Sequence, residues 1–337
     1  MADYSYLAAA APEWTEYLKT WSPPVPPPGA TPQQIRDGTN AKTAELFNTV
    51  VGQPEEGLTV SNFAIPTTGD VTVPVRLYRP TSGVEGTTTK LPVYLFFHGG
   101  GYFVGNLETE DANCRHLARN TGVAVLHVNY RHTPEWSYPA PVNDAWAAYQ
   151  WLTAPSSPAA TEHGLDPQRI VVGGLSAGGT LAIGVALRAK ATAGVPDVRG
   201  LVLTTPVTVH PDLFPYELVK PGTASLQQST EGQFITRDRL AFFSRMYKPE
   251  PAAPDVSPLL VASDQLAGLA PTVVHVAGLD LMRDEALLFE DKLKKAGVKT
   301  TLYTYPGLPH VFMSHPKLPS TAVWRERMWQ NVKDLAA

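Results

Sequence analysis

From Leu91 to the C-terminus, short apolar runs alternate with stretches in which apolar residues recur at helical spacing. The runs are PVYLFF, VAVLHV, IVVGG, LVLTTP, TVVHVAG and TTLYTY; the helical stretches cover residues 109–120, 140–153, 176–190, 284–296 and 320–335. Strands and helices in strict turn pair the strands in parallel, because parallel neighbours need a crossover connection. The pattern predicts an α/β fold: a mostly parallel central sheet with helices on both faces. Ahead of it, LTVSNFAIP and VTVPVRLYRP alternate with period two around TTGD, which predicts a hairpin.

The first fifth of the chain differs. Trp14, Leu18 and Trp21 fall at i, i+4 and i+7, with Tyr17 beside them, and predict one apolar helix face. PPVPPP at 23–28 forbids helix and reads as a stiff connector, or as a polyproline ligand for a partner domain. Thr31-Pro32-Gln33-Gln34 supplies an N-cap, a proline at the first helical position and a capping-box glutamine, so a second helix should run to about Val50. Residues 206–248 interrupt the strand–helix alternation, and an insertion that long usually has a functional task. A helix near 236–247 within it carries Leu240, Phe243 and Tyr247 on one face, the expected partner of the Trp14 face.

Composition narrows the class. The 337 residues are 43% hydrophobic and 17% charged with a net charge of −4, which predicts a soluble globular protein with no nucleic-acid or membrane-surface partner. Cys114 is the only cysteine, so no intrachain disulfide forms. The N-terminal stretch makes a poor signal peptide, and no apolar run of about 18 residues is present to span a bilayer; a cytoplasmic location is the expectation. His116, His127, His132 and His275 show no ligand spacing, and no phosphate-loop or dinucleotide fingerprint occurs. Neither a metal nor a cofactor is expected.

The chemical signal is VVGGLSAGGT. Gly174-Leu175-Ser176-Ala177-Gly178 fits G-x-S-x-G between a strand and a helix, the context of a nucleophile elbow. A serine N-cap or a phosphate-binding turn would also fit this stretch taken alone. A serine hydroxyl needs a base, and the base needs a carboxylate to orient it. Asp280 follows the strand TVVHVAG, and His310 follows TTLYTY, so both belong at the carboxyl edge of the sheet, in the chain order Ser, Asp, His. Asp284 and Glu285 read instead as first-turn acids of the next helix, suited to the positive end of its dipole. His98-Gly99-Gly100-Gly101 follows an earlier strand, and its bare backbone suits an oxyanion hole. Gly100 and Gly101 are the expected donors, with the Ala177 amide as a third. Tyr102 and Phe103 come next and read as pocket wall or as core.

HGGGY, NYRHTPEWSYPAPVND, GLSAGG, SPLL, GLDLMRDE and GLPHVF together resemble the hormone-sensitive-lipase-like branch of the α/β-hydrolases, which includes microbial carboxylesterases and arylacetamide-deacetylase-like enzymes. The resemblance runs from about Leu91 to the C-terminus. It implies a cap built from residues 1–50 and the insertion 206–248, over a core formed by 51–205 and 249–337. It implies a cofactor-independent serine carboxylesterase acting on a small-molecule ester, with lipase, amidase or acyl-transfer activity as neighbours and a homodimer as one form. It also gives Arg131 and Glu135 a structural role near the oxyanion strand. A non-catalytic small-molecule receptor, as in the gibberellin receptors, is the reading from another class. Loss of the triad histidine marks those receptors, and here His310 is present. Leu175 departs from the family's usual polar residue and makes the surroundings of Ser176 less polar; with Tyr102, Phe103 and Phe243 it is an expected substrate contact.

Overall fold

The alternating runs become one sheet in the computed structural model, which describes residues 1–22, 27–81, 90–228 and 234–337. Its strands are β1 (Leu58–Pro66), β2 (Thr72–Pro80), β3 (Leu91–Phe97), β4 (Ala124–Val128), β5 (Leu165–Leu175), β6 (Gly200–Thr204), β7 (Thr272–Ala277) and β8 (Thr300–Tyr305). They lie in the order β1-β2-β4-β3-β5-β6-β7-β8. The β1–β2 hairpin is antiparallel, β2 meets β4 antiparallel, and every pair from β4 to β8 is parallel. The helices are α1 (Pro12–Tyr17), α2 (Pro32–Val50), α3 (Asp111–Thr121), α4 (Ala140–Thr153), α5 (Pro158–Thr161), α6 (Ala177–Ala191), α7 (Arg237–Tyr247), α8 (Ser263–Leu266), α9 (Arg283–Lys295) and α10 (Pro319–Ala336).

The central strands are apolar throughout because both faces are covered. Val93, Leu95 and Phe97 of β3, with Ile170 and Val172 of β5, pack with residues of α4, α6 and α9. Tyr94, Phe96, Val171 and Leu175 point the other way, into a second core with α3 and α10. Chain order reverses between β3 and β5: β4 returns on one side of β3, and β5 pairs on the other. Open α/β sheets place ligand crevices at the carboxyl ends of strands where this happens.

The predicted Thr31 capping box is present, with Gln34 N donating to Thr31 Oγ1 at 3.3 Å and Thr31 N to Gln34 Oε1 at 2.9 Å. The first helix is shorter than its periodicity suggested. It ends at Tyr17, and the chain turns, so Trp14, Tyr17 and Trp21 gather around His315 instead of presenting a stripe to α7. Trp21 stacks on Phe234 just ahead of α7, whereas Leu240 and Phe243 pack with Ile235, Leu281 and Met282. The expected pairing of this aromatic face with α7 is therefore corrected: Trp21 meets the insertion through Phe234, which packs on the same Ile235–Leu281–Met282 cluster as Phe243. Most of the polyproline stretch (23–26) lies outside the described residues. Among those described, no helix is long and apolar enough to cross a membrane.

Candidate active site

The turn from β5 into α6 holds Ser176 at φ 51°, ψ −118°, backbone that a residue with a Cβ rarely adopts. Its shape is fixed by main-chain bonds. Ser176 N donates to Thr204 O on β6 at 2.9 Å, and Gly179 N donates to Ser176 O at 2.9 Å. The hydroxyl is left for chemistry, and Ser176 Oγ lies 2.8 Å from His310 Nε2. On the other side of the ring, His310 Nδ1 lies 2.7 Å from Asp280 Oδ2. A carboxylate beside Nδ1 keeps the ring proton there, so Nε2 is the acceptor for the serine O–H. Asp280 is aimed by its own loop, because its Oδ1 accepts the Met282 N–H at 2.9 Å. Three residues separated by up to 134 positions thus form one continuous hydrogen-bonded chain, all nearly buried.

The oxyanion loop sits beside it. Gly100 (φ 123°), Gly101 (φ 60°), Ser176, Ala177 and His310 line one cavity of about 550 Å³. The N–H groups of Gly100, Gly101 and Ala177 have no hydrogen-bond partner among the described residues. The glycines are bare for a reason within the protein as well as for access. A Cβ on Gly100 would lie 2.1 Å from the Val104 carbonyl oxygen, and one on Gly101 would lie 2.5 Å from the Phe243 ring. A side chain at Gly100 would displace the loop, and one at Gly101 would displace the Phe243 ring.

The expected contact residues divide. Tyr102, Phe103 and Phe243 line the cavity, and Tyr102 stacks on Tyr247 with ring centroids 3.7 Å apart. Leu175 does not line it: strand parity turns that side chain to the opposite face of the sheet, into the core with α3 and α10. Arg131 forks onto the buried Asp144, with Nη2 to Oδ1 at 2.6 Å and Nε to Oδ2 at 2.9 Å. Thr133 N, two residues on, donates to Tyr102 O at 2.9 Å. That segment braces the oxyanion loop from beneath.

Two bracing residues escaped the sequence reading. Arg36 on α2 donates from Nε to Phe103 O at 2.9 Å and bonds Thr133 O and Glu135. Asn40, one turn later, exchanges hydrogen bonds with the Gly105 backbone at 2.8 and 3.2 Å. Helix α2 is thereby tied to the loop that carries Gly100 and Gly101. The i, i+4 spacing of Arg36 and Asn40 put them on one face, but nothing local named their partners.

Asp284 and Glu285 also differ from expectation. They do open α9, but neither is a solvated helix-terminus charge. Asp284 is 1% exposed, pairs with the equally buried Arg283 at 2.7 Å and accepts the Ser225 N–H at 2.8 Å. Glu285 is 1% exposed and lines the cavity. Among the described residues no cluster of three or more His, Cys, Asp or Glu has a geometry for holding a metal ion.

Behind the oxyanion loop, His98, Tyr130 and His132 form a cluster of three stacked rings, with His98 4.5 Å from Tyr130 and 5.2 Å from His132, and His127 lies 5.6 Å from His98. Burial pushes His98 down to about 4 and His127 and His132 well below the usual imidazole range; His275 falls to about 3 and His315 to about 4 for the same reason. Acid should weaken the fold over a defined window. The unfolded histidines take up protons near pH 6.5, folded His98 and His315 only near 4 and His275 near 3, with His127 and His132 shifted in the same direction. The stability they contribute is whole above pH 6.5 and is lost as pH falls toward 4. Glu110, raised to about 7 by burial, acts in the opposite sense between about pH 7 and 4.5, and Glu285, also raised by burial, acts in the same sense as Glu110. His98, His275 and His315 each forfeit roughly 2 kcal/mol by pH 5, and with His127 and His132 acting in the same direction the rings outnumber the two carboxyls. The urea midpoint should therefore be clearly lower at pH 5 than at pH 7.5; equal midpoints would contradict neutral buried rings.

A profile of the α/β-hydrolase fold family matches residues 94–314. The versiconal hemiacetal acetate esterase of Dothistroma septosporum is 33% identical over 268 residues, 79% of each chain. The ethyl acetate hydrolase of Pseudomonas putida is 34% identical over 269 residues, 78% of this chain and 79% of that one. Among solved structures, vibralactone cyclase superposes with a TM-score of 0.88 at 28% identity, over 98% of this chain and 96% of its own. A thermostable esterase from Pseudomonas putida ECU1011 superposes with a TM-score of 0.80 at 29% identity, over 97% of each chain. The chain belongs to the α/β-hydrolase fold family, in the hormone-sensitive-lipase-like branch that its motifs indicate.

Proposed function

We propose that Ser176 is the nucleophile of a serine carboxylesterase, with His310 as its base and Asp280 as the group that orients and charge-balances the imidazole. The chain is a carboxylic ester hydrolase, and relatives named esterase and ethyl acetate hydrolase agree with that class. The single observation that carries the residue roles is the unbroken Ser176–His310–Asp280 hydrogen-bond chain at 2.8 and 2.7 Å.

In the first half-reaction Ser176 Oγ attacks the ester carbonyl carbon while its proton passes to His310 Nε2. The carbonyl oxygen becomes an oxyanion, stabilised by the N–H groups of Gly100, Gly101 and Ala177. Collapse breaks the carbon–oxygen bond to the alcohol, which leaves with the proton from His310, and an acyl-enzyme remains. Water then attacks with His310 as base, the acid departs, and Ser176 regains its proton. Residues 1–50 and 206–248 act as the cap; α2, the 207–211 segment and α7 all contribute to the lining of the cavity, which supports this assignment.

The test is covalent. A serine-directed phosphonate should label Ser176 at one equivalent per chain and stop turnover of a p-nitrophenyl ester in proportion. Full turnover in the presence of the probe, or labelling at another serine, would overturn the reading.

A further inference from the structure

One ionisable group in the cavity wall takes no part in the chemistry above. Glu285, in the first turn of α9, shares the cavity with Ser176 and His310. Its Oε1 accepts two backbone N–H groups, from Thr208 at 2.7 Å and from Val209 at 3.3 Å. Its Oε2 has no hydrogen-bond partner among the described residues, and the side chain lines the cavity. Burial, and behind it the Asp280 and Asp284 charges, push the Glu285 carboxyl well above the usual carboxylate range, against the pull of the two N–H bonds. A proton on this carboxyl cannot sit on Oε1, whose lone pairs are engaged. In the protonated carboxyl it sits on Oε2 and makes that atom a neutral O–H donor.

A second donor stands in the same wall. His210 Nδ1 accepts the Asp212 N–H at 3.3 Å, so Nε2 carries the ring proton and donates to Ser244 Oγ at 3.0 Å. The Ser244 hydroxyl keeps its own proton for a further acceptor, and both His210 and Ser244 line the cavity. His210 also follows directly on Val209, whose amide is held by Glu285.

We propose that Glu285, together with Ser244, forms a polar subsite for a second oxygen function of the substrate: a neutral carbonyl, ether or hydroxyl oxygen carried beyond the scissile ester. The inference rests on the esterase reading of the site and adds a substrate class to it. An uncharged donor recognises an acceptor oxygen and gives no advantage to an ammonium group. The apolar surroundings (Val207, Met282, Phe243) strengthen each hydrogen bond made there and penalise an alkyl chain that leaves the donor unpaired.

The experiment compares isosteric ester pairs. The acyl arm uses p-nitrophenyl 4-oxopentanoate against p-nitrophenyl pentanoate; the alcohol arm uses 2-methoxyethyl butyrate against butyl butyrate. In each arm the ratio of kcat/KM for the oxygenated and plain ester is taken for wild type, Glu285→Gln and Glu285→Met, and intrinsic reactivity cancels between enzymes. Glutamine keeps an acceptor for Thr208 and Val209 and presents an N–H₂ donor to the cavity, so its ratios should match wild type. Methionine removes the donor, and the ratio in one arm should fall about tenfold, the worth of one such hydrogen bond. The arm that responds says which part of the ester carries the oxygen. Because Glu285→Met also unpairs two buried amides, Ser244→Ala provides a second route, with a smaller fall in the same arm. The subsite is overturned if Glu285→Met, or Ser244→Ala where the former does not fold, keeps the wild-type ratio in both arms. It is equally overturned if Glu285→Gln falls as Glu285→Met does. Failure of the wild-type enzyme to cleave any of the four esters would overturn the esterase reading, and the subsite with it.

Discussion

Ser176→Ala is expected to lower kcat for a p-nitrophenyl ester by about 10⁶ while leaving the melting temperature within a few degrees of wild type. The two halves of this expectation have separate causes. The elbow is shaped by bonds that alanine retains: Ser176 N to Thr204 O, and the Gly179 and Thr180 amides to Ser176 O. The unfavourable backbone at φ 51° is also the same for both residues, since both carry a Cβ. The hydroxyl's recorded partner is His310, so its loss costs the fold one hydrogen bond and costs the reaction its nucleophile. The residual rate would come from binding and from the amides of Gly100, Gly101 and Ala177, which remain aimed at the oxyanion position. A folded variant with near wild-type kcat would remove Ser176 from the mechanism.

Asp280→Asn should lower kcat by about 10⁴ with a modest change in stability. The asparagine fills the same space and can still accept the Met282 N–H, but it no longer offers a carboxylate to His310 Nδ1. The ring then loses both its tautomer control and the partner for its positive charge. Asp284→Asn, four residues on, should do the reverse. Sequence alone suggested a helix-terminus charge worth about 0.3–1 kcal/mol. The fold instead seals Asp284 against Arg283, so the substitution leaves a buried guanidinium, still hydrogen-bonded to the Gly278 and Thr223 carbonyls, without its counter-charge and should cost about 3–5 kcal/mol. Measuring kcat and the urea midpoint for both variants separates the roles. A catalytic collapse in folded Asp284→Asn with a mild effect in Asp280→Asn would exchange the two assignments.

The contrast between these aspartates shows where reading a chain residue by residue stops. Strands β3 to β8, the capped start of α2, and the positions of Ser176, Asp280 and His310 at strand ends were all legible. Each depends on neighbours within about ten positions: an apolar run, a turn that demands glycine, a cap that needs threonine followed by glutamine three residues later. Local stereochemistry leaves its mark on adjacent residues. Leu175 was legible in principle, since it shares parity with Val171 and so faces the α3 and α10 core; the motif drew attention to its neighbour Ser176 instead.

Other features have no local mark. Trp14, Tyr17 and Trp21 announced an apolar surface but not that His315, about 300 residues away, would receive it. Arg36 and Asn40 look like ordinary polar residues on a solvated helix until α2 is laid against the oxyanion loop. Glu285 looks like a first-turn acid until the 207–211 segment closes over it and donates two amides to one of its oxygens. Apolar periodicity specifies that a face must be buried, because any sufficiently apolar partner satisfies the hydrophobic effect. Which partner it meets, and which carboxyl loses its water in the process, depends on the assembly of the whole sheet and its crossovers.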